Sequence, residues 1–167
     1  MLKKAAVLMG SLSDRQGLEK TFSLLDALGI PYEAHVCSAH RTPERASEFA
    51  KNAEAEGFGV LIAAAGMAAH LAGAIAARTL LPVIGIPMAS GGLGGLDALL
   101  STVQMPPGFP VATVSVGGAD NAALLAAQIL ALSDPGLRER LAAYRQTIIE
   151  KTDAADRELR RALGQEE

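Results

Sequence analysis

Apolar and polar positions along the chain fall into two patterns that follow one another. Five short runs, each bounded by Gly or Pro, are either continuously apolar or alternate with polar residues, as strands do. These runs cover residues 5–9, 32–36, 60–65, 82–86 and 111–116. Between them, apolar residues recur at intervals of three or four, which predicts helices. Strands that alternate with helices predict an α/β fold, with a parallel sheet covered by helices on both faces.

The second strand differs from the other four. Residues 32–36 alternate between apolar and polar, which indicates a half-buried strand at a sheet edge, whereas the first strand is wholly apolar and therefore central. Five parallel strands with the second at an edge fit the order 2-1-3-4-5. The sequence therefore predicts a three-layer αβα fold with a flavodoxin-like sheet.

Helix boundaries follow from capping and breaking residues. Thr42-Pro43 starts one helix, with Thr as N-cap and Pro at the first helical position. Further helices are predicted from 15 to 28, from 96 to 105, from 117 to about 132 and from 135 to about 163. The segment 66–71 leads into one more helix, which is predicted to run to about Thr79. The helix from 135 is long and heavily charged on its outer positions, which we interpret as a solvated face. We predict one domain over residues 1–167, with a core at 5–132 and a C-terminal helical extension at 133–167.

Composition narrows the functional classes. Of the 167 residues, 50% are hydrophobic, and the excess apolar surface is expected to lie in a subunit interface. A net charge of -3 argues against a nucleic-acid partner. The apolar run 5–9 is too short for a signal peptide or a membrane span, so we expect a cytoplasmic protein with no membrane partner.

Metal and thiol chemistry are not expected. Cys37 is the only cysteine, which excludes an intramolecular disulfide and a cysteine-based zinc site, and its place at a strand end predicts a buried, inert thiol. The three histidines lack partner carboxylates at metal-binding spacing. Of these, His35 points from the edge strand and is expected at the surface.

The predicted sheet order brings three polar segments together. In such a sheet, ligands bind outside the carboxyl ends of the strands, where the strand order reverses. That place lies between strands one and three. Residues 10–14 and 66–70 should flank the crevice there, with residues 38–41 close by on the second strand.

The segment 38–41 places a side chain that can bind an anion beside one that can transfer a proton. Arg41 offers a planar set of donors for phosphate or carboxylate, and histidine, here His40, is the side chain that exchanges protons near neutral pH. Ser38 adds a hydroxyl. The alternative is that these are ordinary surface loop residues.

The segment 10–14 combines Gly10, two serines and Asp14 at a helix start. Backbone N–H groups there favour anions, so we assign Ser11 and Ser13 to a phosphate and Asp14 to neutral hydroxyls such as those of ribose. The alternative is plain helix capping. The segment lacks the Gly-Lys-Ser/Thr of a Walker A loop and the Gly-x-Gly-x-x-Gly of a dinucleotide site.

Two further features each allow two interpretations from the sequence. His70 lies in an Ala-rich stretch and is either a site residue or a packed core histidine. The Gly-rich loop 91–95 is either a lid over the crevice or a connector.

Five motifs in matching order, from about Val7 to Leu132, make the chain resemble the PurE family. They are Gly-Ser-x-Ser-Asp at 10–14, Ser-Ala-His-Arg-Thr-Pro at 38–43, Ala-Gly-x-Ala-Ala-His-Leu at 65–71, Val-Gln-Met-Pro at 103–106 and Asn-Ala-Ala-Leu-Leu-Ala at 121–126. The chain departs from the family pattern at Met67, where Gly is usual, at Ala72, where Pro is common, and in a shorter stretch at 117–120.

The resemblance implies an isomerase of purine (IMP) synthesis, N5-carboxyaminoimidazole ribonucleotide mutase, which moves a carboxylate from N5 to C4 through CO₂. It also implies a homo-octamer with active sites at subunit contacts, no metal and no cofactor. By similarity, His40 is the acid and base, Ser11, Ser13, Ser38 and Arg41 hold phosphate, and Asp14 holds ribose. The other implied substrate-binding residues are Gly10, Ala39, Gly66, Met67, Ala69, His70 and Leu71.

Two rival functions are weighed against this one. The related carboxylase uses free CO₂ and aminoimidazole ribonucleotide, but the Ala-Ala-His-Leu motif at 68–71 favours the mutase. A non-catalytic flavodoxin-like module would need aromatic residues around a flavin, or the acidic cluster of a phospho-receiver. The predicted loops offer neither.

Overall fold

A computed structural model describes residues 2–165, and Met1, Glu166 and Glu167 lie outside it. Its sheet contains five parallel strands in the order β2-β1-β3-β4-β5, which confirms the predicted fold. In chain order the strands are β1 Lys4–Met9, β2 Tyr32–Val36, β3 Phe58–Gly66, β4 Val83–Met88 and β5 Ala112–Thr113. The prediction of one domain over residues 1–167 includes the three residues outside this range and stays a prediction.

Helices cover both faces of the sheet. A 3-10 helix, Leu12–Leu18, leads into the first α-helix. The α-helices are α1 Glu19–Ala27, α2 Pro43–Asn52, α3 Leu71–Ala76, α4 Leu96–Val103, α5 Ala119–Leu130 and α6 Pro135–Ala162. No helix in residues 2–165 is long and apolar enough to cross a membrane.

The core is divided by the sheet into two apolar clusters. Side chains alternate between the faces of a strand, so Val7 of β1 packs on one side with α1, α5 and the start of α6, and Leu8 packs on the other with α2 and α3. Both side chains are fully buried. This burial on both faces explains why the central strands read as continuously apolar.

The last strand is shorter than the predicted run 111–116. Its neighbour β4 contains Pro87, whose carbonyl accepts a hydrogen bond from Gly117 N–H at 2.9 Å. The N–H and C=O of one strand residue point to the same side, so the missing N–H of Pro87 also faces β5. Only Ala112 and Thr113 therefore keep a regular ladder with β4.

The third helix is also shorter than predicted. The segment 67–70 turns the chain from β3 into the helix, as the sequence predicts, and Met67 within it has a φ of 57°. That left-handed conformation cannot continue a right-handed helix. The helix begins only at Leu71 and ends at Ala76, before the predicted end near Thr79.

The long helix α6 is packed only near its start. Leu137 and Leu141 are buried against the core, and residues 145–162 are exposed along their whole length. The interpretation of its charged positions as a solvated face therefore agrees with the structure.

Candidate active site

A cavity of about 450 Å³ lies at the carboxyl ends of β1, β2, β3 and β4, where the strand order reverses. It gathers every site residue predicted from the sequence except Ala69. Its walls are formed by Gly10, Ser11, Ser13, Asp14, Ser38, Ala39, His40, Arg41, Ala65, Gly66, Met67, Ala68, His70, Leu71 and Ser90. Segments 19 or more residues apart in sequence thus meet through topology alone.

Ala69 does not reach this cavity. It is 2% exposed, and its carbonyl accepts a hydrogen bond from the Thr102 hydroxyl at 3.3 Å, so it belongs to the packing between the turn 67–70 and α4. Ala68 and Ser90 also line the cavity, although neither is among the site residues predicted from the sequence. Ser90 lies two residues after the end of β4, so the rule that ligands bind at strand ends could have indicated it.

The segment 10–14 is ordered by its own side chains. Ser11 N–H donates to Asp14 Oδ2 at 3.0 Å, and Ser13 N–H donates to Ser11 Oγ at 3.3 Å, which together form a capping box. The Ser13 hydroxyl also donates to Ser11 Oγ, at 2.9 Å. Capping and a binding role are compatible here, because both serine hydroxyls and the carboxylate remain on the cavity wall.

Burial has the largest effect on the ionisation of Asp14. It raises the pKa of this carboxyl above its ordinary value, while the Ser11 N–H and the Arg41 charge act in the opposite direction. A phosphate bound to the adjacent serines would raise the pKa further, because like charges disfavour ionisation. This supports placing Asp14 against neutral hydroxyls rather than against the phosphate.

Arg41 connects the loops that follow β1 and β2. Its Nη2 donates to Gly10 O at 2.6 Å, and its Nε donates to Ser38 Oγ at 3.4 Å. Arg41 is exposed, and these contacts use the single N–H of Nε and one N–H of Nη2, so the donors of Nη1 and the second N–H of Nη2 remain for an anion. Arg41 is therefore held on the cavity wall with donors available for an anion.

The three histidines have distinct environments. His40 is exposed on the cavity wall and makes no hydrogen bond to any residue in the range 2–165. His70 is exposed at the N-cap of α3, so it is not a packed core histidine. His35 is half-buried on the edge strand, with its ring centroid 5.1 Å from that of Phe49. Only His40 and His70 can reach a ligand in the cavity.

Met67 forms part of the cavity rim in a conformation that disfavours a side chain. It is the one residue other than glycine with a positive φ in the described range, and it is 61% exposed. Such a conformation costs an L-residue about 1–2 kcal/mol. Its Cγ lies 3.7 Å from where a Cβ on Gly91 would be, so it links the turn 67–70 to the Gly-rich loop.

Cys37 is 2% exposed at the end of β2. Burial is the main effect that raises the pKa of its thiol, against smaller opposing effects of Thr42 and Arg45. A raised pKa leaves little thiolate at neutral pH, which agrees with the predicted inert thiol.

A larger cavity, of about 800 Å³, lies at the amino end of β4 and is lined by residues 76–83 and 108–110 with Lys51 and Glu54. It contains no histidine, and parallel sheets bind ligands at the opposite end of their strands. The smaller cavity is therefore the candidate active site.

The sheet order and the smaller cavity define the class: a flavodoxin-like αβα protein with a ligand site at the strand-order reversal. The chain belongs to the AIR carboxylase family, which matches residues 4–151.

Individual relatives agree with this assignment. The chain is 52% identical over 145 residues to the N5-carboxyaminoimidazole ribonucleotide mutase of Pyrococcus abyssi, covering 87% of this chain and 83% of that protein. It is 49% identical over 161 residues to the mutase of Mycobacterium tuberculosis, covering 96% and 92%. The crystal structure of Treponema denticola PurE superposes with a TM-score of 0.84 at 33% identity, covering 93% of this chain and 97% of that one.

Proposed function

We propose that this protein catalyses the N5-carboxyaminoimidazole ribonucleotide mutase reaction of purine synthesis. The observation that carries the proposal is the similarity to mutases at about half identity over most of the chain. The cavity supports it, because a proton-transfer group, His40, lies beside a phosphate-binding group, Arg41. We place this activity in the cytoplasm, in keeping with the composition of the chain.

The reaction needs one proton to arrive and one to leave. Protonation at N5 breaks the N–C bond of the carbamate and releases CO₂ beside aminoimidazole ribonucleotide. Ring carbon C4 then attacks the CO₂ to form the new C–C bond, and a base removes the proton from C4. A single histidine that donates the first proton and accepts the second balances the sequence, and we assign both steps to His40.

Substrate binding is divided along the cavity. We assign the phosphate to Ser11, Ser13, Ser38 and Arg41, which lie at the ends of β1 and β2. Asp14 accepts from the ribose hydroxyls. The base and its carboxylate then lie at the ends of β3 and β4, against Gly66, His70 and Leu71, with Gly10, Ala39 and Met67 completing the walls.

The cavity of one chain is open, although trapped CO₂ requires a site that excludes water. His40, Arg41, Met67 and His70 are all exposed. An exposed apolar side chain, Leu12, projects beside the site. We propose that neighbouring subunits of a homo-octamer cover this rim and close the site.

Helix α4 provides a second apolar surface for such contacts. Leu96, Leu100 and Val103 are 55%, 48% and 48% exposed and lie on one side of the helix, since they are spaced at intervals of three and four. The inward side instead carries Ala98 and Thr102. An exposed apolar stripe of this kind marks an interaction site.

Leu100→Glu should weaken the oligomer by about tenfold or more, because a charge would be buried at the contact. Light scattering at several concentrations measures this, with Leu100→Met as the control that keeps an apolar side chain. A wild-type protein that is monomeric at micromolar concentration would contradict the octamer.

The carboxylase reaction is the second candidate, because the matching family is described as AIR carboxylase. Labelled bicarbonate, supplied with unlabelled N5-carboxyaminoimidazole ribonucleotide, distinguishes the two. A mutase should put little label into the C4 product, since its CO₂ never leaves the site. Full labelling, together with no turnover of the N-carboxylated substrate, would establish a carboxylase instead.

A further inference from the structure

Ser90 lies in the loop after β4, three strands along the sheet from β2, whose loop carries Arg41. In the order β2-β1-β3-β4, adjacent strands are about 4.8 Å apart, so the loops after β2 and β4 are separated by the width of the site. Arg41 bridges the first two loops, and Ser90 follows β4. A nucleotide with its phosphate at Arg41 therefore directs its base toward Ser90.

The Ser90 hydroxyl lies against the Cα of Gly66. A Cβ built on Gly66 would lie 1.9 Å from Ser90 Oγ and 3.0 Å from Ser90 Cβ. No side chain at position 66 fits without displacing that hydroxyl. The φ of Gly66 is not positive, so its backbone conformation alone does not require glycine. The absence of a side chain at position 66 thus leaves the hydroxyl on the cavity wall.

That hydroxyl is also free to bond a ligand. Ser90 is only half-buried, and it makes no hydrogen bond within residues 2–165. The other serine hydroxyls of the cavity differ: Ser11 Oγ accepts from the Ser13 hydroxyl, and Ser38 Oγ accepts from Arg41. Ser90 therefore has its full donor and acceptor capacity available.

We propose that Ser90 is a further substrate-binding residue, whose hydroxyl donates a hydrogen bond to the carboxylate that moves between N5 and C4. This rests on the proposed function. After the N–C bond breaks, the same hydroxyl holds the CO₂ beside C4 by donating to one of its oxygens. Ser90 thereby favours recarboxylation over escape of CO₂.

The test compares nucleotides that have the carboxylate with the one that lacks it. Ser90→Ala should lower kcat/KM about tenfold for N5-carboxyaminoimidazole ribonucleotide, and by a similar factor for the C4-carboxylated product in the reverse reaction. This is the effect expected from losing a hydrogen bond to a charged group. The Kd of aminoimidazole ribonucleotide, measured by calorimetry, should change less than twofold. The fraction of turnovers that release aminoimidazole ribonucleotide should rise severalfold.

Two variants separate the hydroxyl from packing. Ser90→Thr keeps the hydroxyl and should recover most of the coupling between decarboxylation and recarboxylation. Ser47→Ala removes a half-buried serine of α2 that lies outside the cavity, and should have no effect.

The outcomes distinguish the two proposals. Equal losses for the carboxylated and uncarboxylated nucleotides in Ser90→Ala, or no loss for any, would overturn the role of Ser90 while the wild-type enzyme stays active. A wild-type protein that does not turn over N5-carboxyaminoimidazole ribonucleotide would overturn the proposed function, and the assignment of Ser90 with it.

Discussion

His40→Asn is expected to fold and to bind nucleotide, yet to lose at least about a hundredfold in turnover, the usual scale for a general acid or base. His40 is exposed and has no hydrogen-bond partner in residues 2–165, so its removal should leave the fold intact. Asparagine has a similar polar shape but cannot exchange a proton in the same way. Both proton transfers of the proposed reaction would therefore be lost together.

Stopped-flow or steady-state turnover on N5-carboxyaminoimidazole ribonucleotide measures the loss, with calorimetry on aminoimidazole ribonucleotide as the binding readout. His35→Asn is the matched control, because His35 packs against Phe49 outside the cavity. Near-normal turnover in a folded His40→Asn protein would assign the proton transfers elsewhere. His70 is then the next candidate, since it is the other histidine on the wall.

The fold could be predicted from the sequence because the burial of each strand determines its local pattern of apolar and polar residues. Residues 5–9 and 60–65 are continuously apolar since both of their faces are covered, and the edge strand alternates. The length of β5 could not be predicted in this way. It depends on Pro87 of a neighbouring strand, and hydrogen bonds between strands are not visible in one segment.

The candidate site could be predicted where it follows strand ends, and less well where it depends on side-chain contacts. The loops after β1, β2 and β3 were expected at the crevice and do line it. Ser90 was missed because the rule that ligands bind at strand ends was applied to the loops after β1, β2 and β3 and not to the loop after β4. Ala69 was predicted as a site residue because it belongs to the motif at 65–71. Its neighbours line the cavity, but Ala69 does not, because the turn directs its carbonyl toward the Thr102 hydroxyl.

The turn at Met67 gives a departure from the family pattern a physical meaning. The sequence predicts that the segment 66–71 leads into a helix, and the helix begins at Leu71, after Met67 with its φ of 57°. The PurE resemblance implies Gly at position 67, and a left-handed position is one where glycine is the least costly residue. The structure thus gives a physical reason for the usual Gly and identifies Met67 as a strained substitution on the rim.

Arg41→Ala is expected to act mainly on binding. Losing a charge-assisted contact to phosphate costs roughly 1.5–3 kcal/mol, which corresponds to an increase in KM of about tenfold to a hundredfold. The loss has a second source, because Arg41 also donates to Gly10 O and thereby fixes the loop that carries Ser11 and Ser13. The KM of Arg41→Lys should lie between those of the wild type and Arg41→Ala, since lysine keeps the charge but not the planar set of donors.

The phosphate assignment itself can be isolated with a substrate that has none. Arg41→Ala should weaken binding of aminoimidazole ribonucleotide strongly and binding of its nucleoside only slightly, because the nucleoside lacks the group that Arg41 contacts. Arg45→Ala is the matched control: this arginine is also exposed, lies four residues further on in α2, and is outside the cavity. A variant in which kcat fell while KM and the difference between nucleotide and nucleoside stayed the same would place Arg41 in the chemical step. In that case the phosphate would bind elsewhere than at the ends of β1 and β2, and the inference that the base is directed toward Ser90 would also be wrong.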